Sequence, residues 1–320
     1  MTRIVVSDTK VINLAGQQAL ADVDATIERT DARTPEAVIE AARGADALVV
    51  DAGTPVPAAV FEAVDSLAIV ARAGTGLDNI DIGAARTHGI PVVNAPEYAA
   101  DEVATHALAL LLACVRRVPA YDRSVRDGTW EWDLGQPIQH LAGGTVGIVG
   151  FGTIGRRFAR RLEGFDVTIL AADPYADATT MSDRGVRKRS FQRLLADSDA
   201  VSVHALLTPE TRGMFDEEAF AHMCEDAVLV NTARGPIVDD DALETALRTG
   251  ELGAAGLDVR EYEPPASSLA TLDTVVSTPH AAWYSAQSRE ELNRTIAADV
   301  VRVLRGERPV NPVEAENPWM

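Results

Sequence analysis

The 320-residue sequence has little cysteine: Cys114 and Cys224 are its only two, each in an apolar stretch of helical character. They read as small core residues rather than a disulfide or a metal site, which fits a reducing, cytoplasmic setting. Long apolar runs are missing too. The longest, "ALALLLACV" at 107–115, is far short of the roughly 20 residues of a membrane-spanning helix. The opening "MTRIVVSDTK" reads as a strand and lacks the apolar core of a signal peptide. Basic charge is scarce: 29 Lys and Arg face 48 Asp and Glu, a formal net charge of −19. That balance argues against nucleic acid or an anionic membrane as the main partner. The one basic cluster, "RGVRKRS" at 184–190, is short and reads as a solvated loop. No repeat or low-complexity segment stands out, and the Pro-rich end "ERPVNPVEAENPWM" is the sole candidate for disorder.

What is present is a globular composition, 47% hydrophobic with mean hydropathy near zero, in a chain long enough for two domains. Short β-branched runs alternate with helical patterns, the mark of βαβ units and parallel sheets. One series holds "RIVVS" (3–7), "ALVVD" (47–51), "LAIVA" (67–71) and "PVVN" (91–94). A second holds "TVGIVG" (145–150), "VTILAAD" (167–173), "AVSVHA" (200–205), "AVLVNT" (227–232), "AAGLDV" (254–259) and "TVVSTPH" (274–280). "EVATHALALLLACVRRV" (102–118) is the natural helical bridge between them. The helix at 285–306 follows the last strand and would give the strand-poor first series cover. The expected architecture is α/β, two doubly wound parallel-sheet domains: a discontinuous one at 1–100 plus 286–320, and a continuous one at 101–285.

In "TVGIVGFGTIGRRFARRL", Gly150, Gly152 and Gly155 have G-x-G-x-x-G spacing. The pattern alone is weak, but here it follows an apolar strand and opens a helix with Ile154, Phe158 and Leu162 four apart. The first glycine allows the turn, the second admits a pyrophosphate, and the third lets helix pack on strand. The helix N-terminus offers unpaired N–H groups to phosphate. Asp173, 18 residues past Gly155, ends the next strand, where an acid accepts from the adenosine ribose. No arginine follows it directly, which favours NAD; NADP is the alternative if the 184–189 cluster folds back.

"VLVNTARGPIVDDDAL" (228–243) places a guanidinium, Arg234, where a buried strand stops. Ligands of open parallel sheets bind beyond the carboxyl ends of the strands. Gly74-Thr75-Gly76, Asp258 and His280 stand at equivalent places, and Glu263 precedes Pro264-Pro265. Singly, each has a mundane reading as an ion-pair, loop or core residue. Together, Arg, Glu and His suit hydride transfer to a 2-keto acid. Histidine can give the proton near neutral pH, a carboxylate beside it favours imidazolium, and an arginine fork matches a substrate carboxylate.

The segments "ARAGTGLDNID" (71–81), "GIVGFGTIG" (147–155), "NTARGPIVDDDAL" (231–243), "GLDVREYEPP" (256–265) and "TPHAAW" (278–283) resemble the D-isomer-specific 2-hydroxyacid dehydrogenases. "TPHAAWYSAQ" looks most like the C-terminal-binding-protein branch; "RAGTGLDNID" and "EPP" look equally like phosphoglycerate dehydrogenases. The resemblance implies a trio: Arg234 on the substrate carboxylate and carbonyl, His280 as acid/base, and Glu263 keeping His280 protonated. It implies that amides around Ala73, Gly74 and Thr75 also hold the carboxylate, with Trp283 walling the pocket. NAD would be contacted by Thr75, the 150–155 turn (Gly150, Gly152, Thr153, Ile154, Gly155) and Asp173. Further contacts would come from Ala205, Leu206 and Thr211, from Thr232, Ala233 and Arg234, from Asp258 near the nicotinamide amide, and from His280 to Trp283. "HALLTPETRG" departs from the family pattern after His204.

The first domain would then be substrate-binding and flavodoxin-like, the second an NAD-binding Rossmann domain, with a cleft that closes on substrate. The expected function is an NAD-dependent oxidoreductase interconverting a small D-2-hydroxy acid and its 2-keto acid, as a cytoplasmic homodimer without metal, nucleic acid or membrane partner. The competing reading is an NAD(H)-responsive protein-binding regulator like the C-terminal-binding proteins. Within the enzymes, phosphoglycerate would need more basic residues than Arg72. Formate dehydrogenase would have Gln where Glu263 stands.

Overall fold

The computed structural model describes residues 2–8, 12–13, 20, 23–135, 138–264 and 268–313. Pro265, and the Pro-rich end from residue 314, lie outside the described residues. The chain falls into two compact units, Met1–Tyr98 with Ser285–Met320, and Ala99–Tyr284.

The first unit is a five-stranded parallel sheet in the order β2-β1-β3-β4-β5. Its strands are β1 (Thr2–Ser7), β2 (Ala25–Thr30), β3 (Ala47–Val50), β4 (Ile69–Arg72) and β5 (Val92–Val93). One face is covered by α1 (Pro35–Ala42), α2 (Ala58–Ala63) and α3 (Ile82–Thr87). The other takes the last helix of the chain, here α11 (Ala286–Leu304). Ser285 caps that helix in a reciprocal capping box with Ser288. Leu292, Ile296, Val300 and Val301 pack on Ile4, Val6, Val49 and Ile69. Each buried side chain of this size contributes roughly 1.5–3 kcal/mol, enough to hold a segment that returns from far along the sequence.

The second unit carries a seven-stranded parallel sheet, β12-β11-β10-β9-β6-β7-β8. Its strands are β6 (Thr145–Val149), β7 (Thr168–Ala172), β8 (Val186–Lys188), β9 (Ala200–Val203), β10 (Val228–Asn231), β11 (Ala254–Leu257) and β12 (Val275–Ser277). One face holds α4 (Ala100–Val115) and α6 (Thr153–Leu162); the other holds α8 (Phe191–Asp197), α9 (Glu217–His222) and α10 (Asp240–Thr249). The short α5 (Val118–Arg126) and α7 (Ala178–Ser182) complete the unit. Strands β9, β10 and β11 are buried throughout, as strands covered on both faces must be.

Two local expectations are corrected, and one strand was not foreseen. The basic cluster at 184–190 is not a solvated loop: Val186–Lys188 is the edge strand β8, paired with β7. A single buried valine is all that an edge position asked of it, too little to show as periodicity. The bridging helix stops at Val115, because Arg117 takes a left-handed φ of 52° and α5 starts beyond it. β2 has only intermediate and exposed residues, so it left no apolar run to read. Among the described residues, no single helix is long and apolar enough to cross a membrane.

Candidate active site

β10 lies between β9 and β11, so its carboxyl end opens at the middle of the second sheet's edge. There Asn231, buried at the strand end, accepts from Ala233 N at 3.0 Å and donates from Nδ2 to Arg234 O at 2.9 Å. This side chain closes the turn that presents Arg234, whose Nη1 reaches Ala233 O at 2.8 Å. The glycine after it is required by close approach: a Cβ at Gly235 would lie 2.0 Å from the carbonyl carbon of Arg260. Arg260 begins the loop that leads to Glu263. Asp239 then caps α10, accepting from Asp241 N and Ala242 N.

Glu263 Oε2 and His280 Nδ1 are 2.8 Å apart. The other carboxylate oxygen accepts from Arg260 N at 3.2 Å. Half-burial pushes the Glu263 carboxyl up. The His280 hydrogen bond and charge, the Arg260 amide and the charge of Arg234 outweigh this and hold it below the usual glutamate range.

His280 has a left-handed φ of 51°, an uncommon conformation for a residue with a Cβ, which costs on the order of 1–2 kcal/mol. Asp258 supplies what holds it there. Its backbone carbonyl accepts from His280 N at 2.8 Å. Its buried carboxylate accepts from Thr278 Oγ1 (2.6 Å), Ala281 N (2.8 Å) and Ala282 N (2.9 Å). His106 of α4 adds Nε2 to Thr278 Oγ1 at 2.9 Å. Asp258 is thus a brace of the turn bearing His280, a role the sequence reading did not give it. Trp283 lies edge-on to Tyr284, 5.5 Å between ring centroids.

The dinucleotide turn sits at the ends of β6 and β7. Gly150 has φ 91°, and a Cβ there would meet Ala205 N at 2.5 Å. A Cβ on Gly155 would meet Gly150 O at 2.2 Å, whereas one on Gly152 would meet nothing within 4 Å. Gly152 is the N-cap of α6 and provides no side-chain cap, so the first-turn amides at Thr153 and Ile154 face an open approach. Asp173 ties its carboxylate to the turn, Oδ2 accepting from Phe151 N at 2.7 Å and Oδ1 from Tyr175 N and Ala176 N at 2.8 and 3.1 Å. With about four acceptor sites on a carboxylate, a position on Oδ2 is left for a ribose hydroxyl. Thr232 Oγ1 is enclosed without a hydrogen-bond partner. Open amides, ribose acid and unpaired hydroxyl together fit NAD. Lys188 does reach the Asp173 turn, Nζ to Ala176 O at 2.6 Å, but the Asp173 charge opposes a 2′-phosphate.

On the far side of Gly150, His204 packs on Phe158 (ring centroids 5.0 Å) and meets Ser202 Oγ at 2.9 Å. Burial pushes its imidazole down to about 3, so it stays neutral. Leu206 is exposed, and Thr211 turns its hydroxyl onto Leu206 O at 2.6 Å, closing its own loop.

The Ala73–Thr75 loop belongs to the first unit. One expectation fails there: Ala73 N is already taken by Val50 O at 2.8 Å, because the β3–β4 ladder runs one residue further. The amides of Gly74 and Thr75 remain. Thr75 Oγ1 donates to Ala95 O at 3.0 Å and Asn94 Nδ2 to Thr75 O at 2.8 Å. Beneath them Arg72 is buried and donates to Ala73 O.

Asn231, Gly235, Asp240, Arg260, His106 and Thr278 were not singled out from sequence. His106 alone left a signal, a polar residue inside an apolar helical run.

Residues 108–282 match the family model described as D-isomer specific 2-hydroxyacid dehydrogenase, NAD binding domain. The D-3-phosphoglycerate dehydrogenase of Archaeoglobus fulgidus is 41% identical over 263 residues, covering 82% of this chain and 50% of that one. The chain therefore spans about half the length of the phosphoglycerate dehydrogenases it matches. The glyoxylate reductase of Korarchaeum cryptofilum is 42% identical over 287 residues, covering 87% and 86%. Among solved structures, the D-lactate dehydrogenase from Aquifex aeolicus complexed with NAD and lactic acid superposes with a TM-score of 0.88 at 27% identity, covering 98% of this chain and 99% of that one. These relatives are dehydrogenases and a reductase, and the regulator reading is not favoured.

Proposed function

The chain belongs to the D-isomer specific 2-hydroxyacid dehydrogenase family, and from that premise we propose that it interconverts a small D-2-hydroxy acid and its 2-keto acid. The observation that carries the reading is the 2.8 Å contact between Glu263 and His280, with Arg234 on the adjoining strand-end loop. With Nδ1 facing Glu263, Nε2 of His280 is the nitrogen left to exchange a proton with substrate oxygen. Bound NADH supplies the hydride. His280 gives its proton to the carbonyl oxygen as that oxygen gains charge, and Glu263 stabilises the imidazolium beforehand. Arg234 holds the substrate carboxylate by its planar fork and polarises the carbonyl. Trp283 is a pocket wall, and the Gly74 and Thr75 amides of the first unit form an anion-holding loop of their own.

Replacing Arg234 by Ala tests this in an NADH-oxidation assay with a panel of 2-keto acids. The expected loss of ~1.5–3 kcal/mol lowers kcat/KM roughly tenfold or more. Turnover of no keto acid by the wild type, or full turnover by the variant, defeats the reading.

The proposal extends to a cytoplasmic homodimer. Both cysteines are free thiols, which suits a reducing compartment. A groove of about 1130 Å³ lies away from the trio, lined by Leu112, Tyr121, Val125, Trp130, Trp132 and Phe165 among others. Trp130 and Trp132 are 88% and 78% exposed, and α5 buries none of its residues. An apolar face of that kind suits a second copy of the chain. Sedimentation of a Trp130→Ser/Trp132→Ser variant is expected to show monomer where the wild type is a dimer.

A further inference from the structure

One feature beside the trio takes no part in the chemistry above: an ion pair between a buried arginine and a partly buried aspartate. Arg260 is only 7% exposed. Its Nη2 lies 2.9 Å from Asp240 Oδ2, and its Nε lies 3.2 and 3.3 Å from the two carboxylate oxygens. Asp240 opens α10, six residues past Arg234. Arg260 opens the loop that runs from β11 to Glu263. The pair therefore ties together the two segments that carry Arg234 and Glu263, at the point where Gly235 and the Arg260 backbone already touch.

Stability does not explain such a pair. Taking the Arg260 charge and most of the Asp240 carboxylate out of water is costly, and well-packed apolar side chains of similar volume often do as well or better. What the pair adds is direction. A guanidinium forked on a carboxylate fixes where residue 260 sits. Its backbone N–H then fixes one oxygen of Glu263, so that the other is aimed at His280. We propose that Asp240 and Arg260 are positioning residues: their ion pair locks the Glu263 loop against the Arg234 turn and so sets the orientation of Glu263 toward His280. The inference rests on the hydride-transfer reading. The charged groups facing Glu263 are His280 and Arg234; those facing Arg260 are Asp240 and Glu244.

The double variant Asp240→Leu/Arg260→Met keeps the site packed and removes both charges. Thermal melting, NADH affinity and the pH profile of keto-acid reduction would be measured on it and on Arg260→Lys. The double variant should melt near the wild-type temperature and bind NADH within about twofold. Its kcat should fall about tenfold, with the acid limb of the profile moved to higher pH as Glu263 loses its fixed partner. Arg260→Lys, with charge but no fork, should recover part of the loss. Unchanged kcat and acid limb, or a kcat loss that merely tracks unfolded protein, overturns the proposal. A wild type that reduces no 2-keto acid counts against the hydride-transfer reading instead. The pair is then judged on the Glu263 carboxyl titration by carbon NMR in the dinucleotide-free protein. That titration should move up toward the ordinary range in the double variant; an unmoved titration overturns the proposal.

Discussion

Two parallel sheets in this chain end in loops of different chemistry. At the carboxyl edge of the five-stranded sheet, the Gly74–Thr75 loop offers backbone amides, Arg72 is buried beneath them, and Arg33 is paired with Asp31 and Asp51. At the carboxyl edge of the seven-stranded sheet, the loops offer side chains: Arg234, Glu263 and His280, beside a glycine turn with open amides. The same strand–helix alternation built both edges. A loop of amides can hold an anion but has no proton to exchange, while loops with an imidazole and a carboxylate can do both. Architecture supplies the place, and loop residues supply the reaction.

That contrast can be broken from either side. His280→Gln removes the exchangeable proton and is expected to lower kcat by about 10²–10⁴-fold, with NADH binding retained; stopped-flow NADH oxidation would read it. Gly150→Val forces a side chain into a φ of 91° and into Ala205 N. It should weaken NADH binding at least about tenfold, since the turn can no longer approach a pyrophosphate. Fluorescence titration checks it, and the Gly74 loop should be unaffected. Gly74→Ala is the reciprocal test, because φ is 143° and its Cβ would lie 2.0 Å from Arg72 Nη1. It should lower folding stability by about 1–3 kcal/mol, read by urea melts, and leave NADH affinity unchanged.

The smallest effect is on stability against pH. The folded Glu263 carboxyl lies below its ordinary value. Its contribution is therefore fully present above about pH 4.3, the unfolded value, and fades as pH falls through the folded value. Urea melts across that acid range should show Glu263→Gln losing this part of the slope. The effect is modest, because the Glu263 side chain is 40% exposed.

How much of this was legible depended on what each residue had to satisfy. The central strands could be read because burial on both faces demands continuous apolar runs. β2 and β8 could not, since an outer strand needs few buried side chains. The proposed trio stood out because arginine, glutamate and histidine are conspicuous after strand ends, and the structure brings Glu263 and His280 into contact. Asn231 acts through backbone groups two and three residues on, and Asp258 and Arg260 through partners 20 or more residues away that nothing in their spacing announces. Ala73 was over-read, because the length of a ladder is set by the neighbouring strand.

The sequence by itself determined the two parallel sheets, the dinucleotide turn and which side chains are proposed to react. These follow from local rules: apolar periodicity, glycine where a Cβ cannot fit, and charge where a strand stops. The tertiary structure alone decided that Glu263 aims at His280, that Asp258 holds His280 in a left-handed turn, and that Asp240 and Arg260 brace the loops between. Those are contacts between segments that only the sheet order makes neighbours. Their geometry comes from packing, which no single stretch of chain contains.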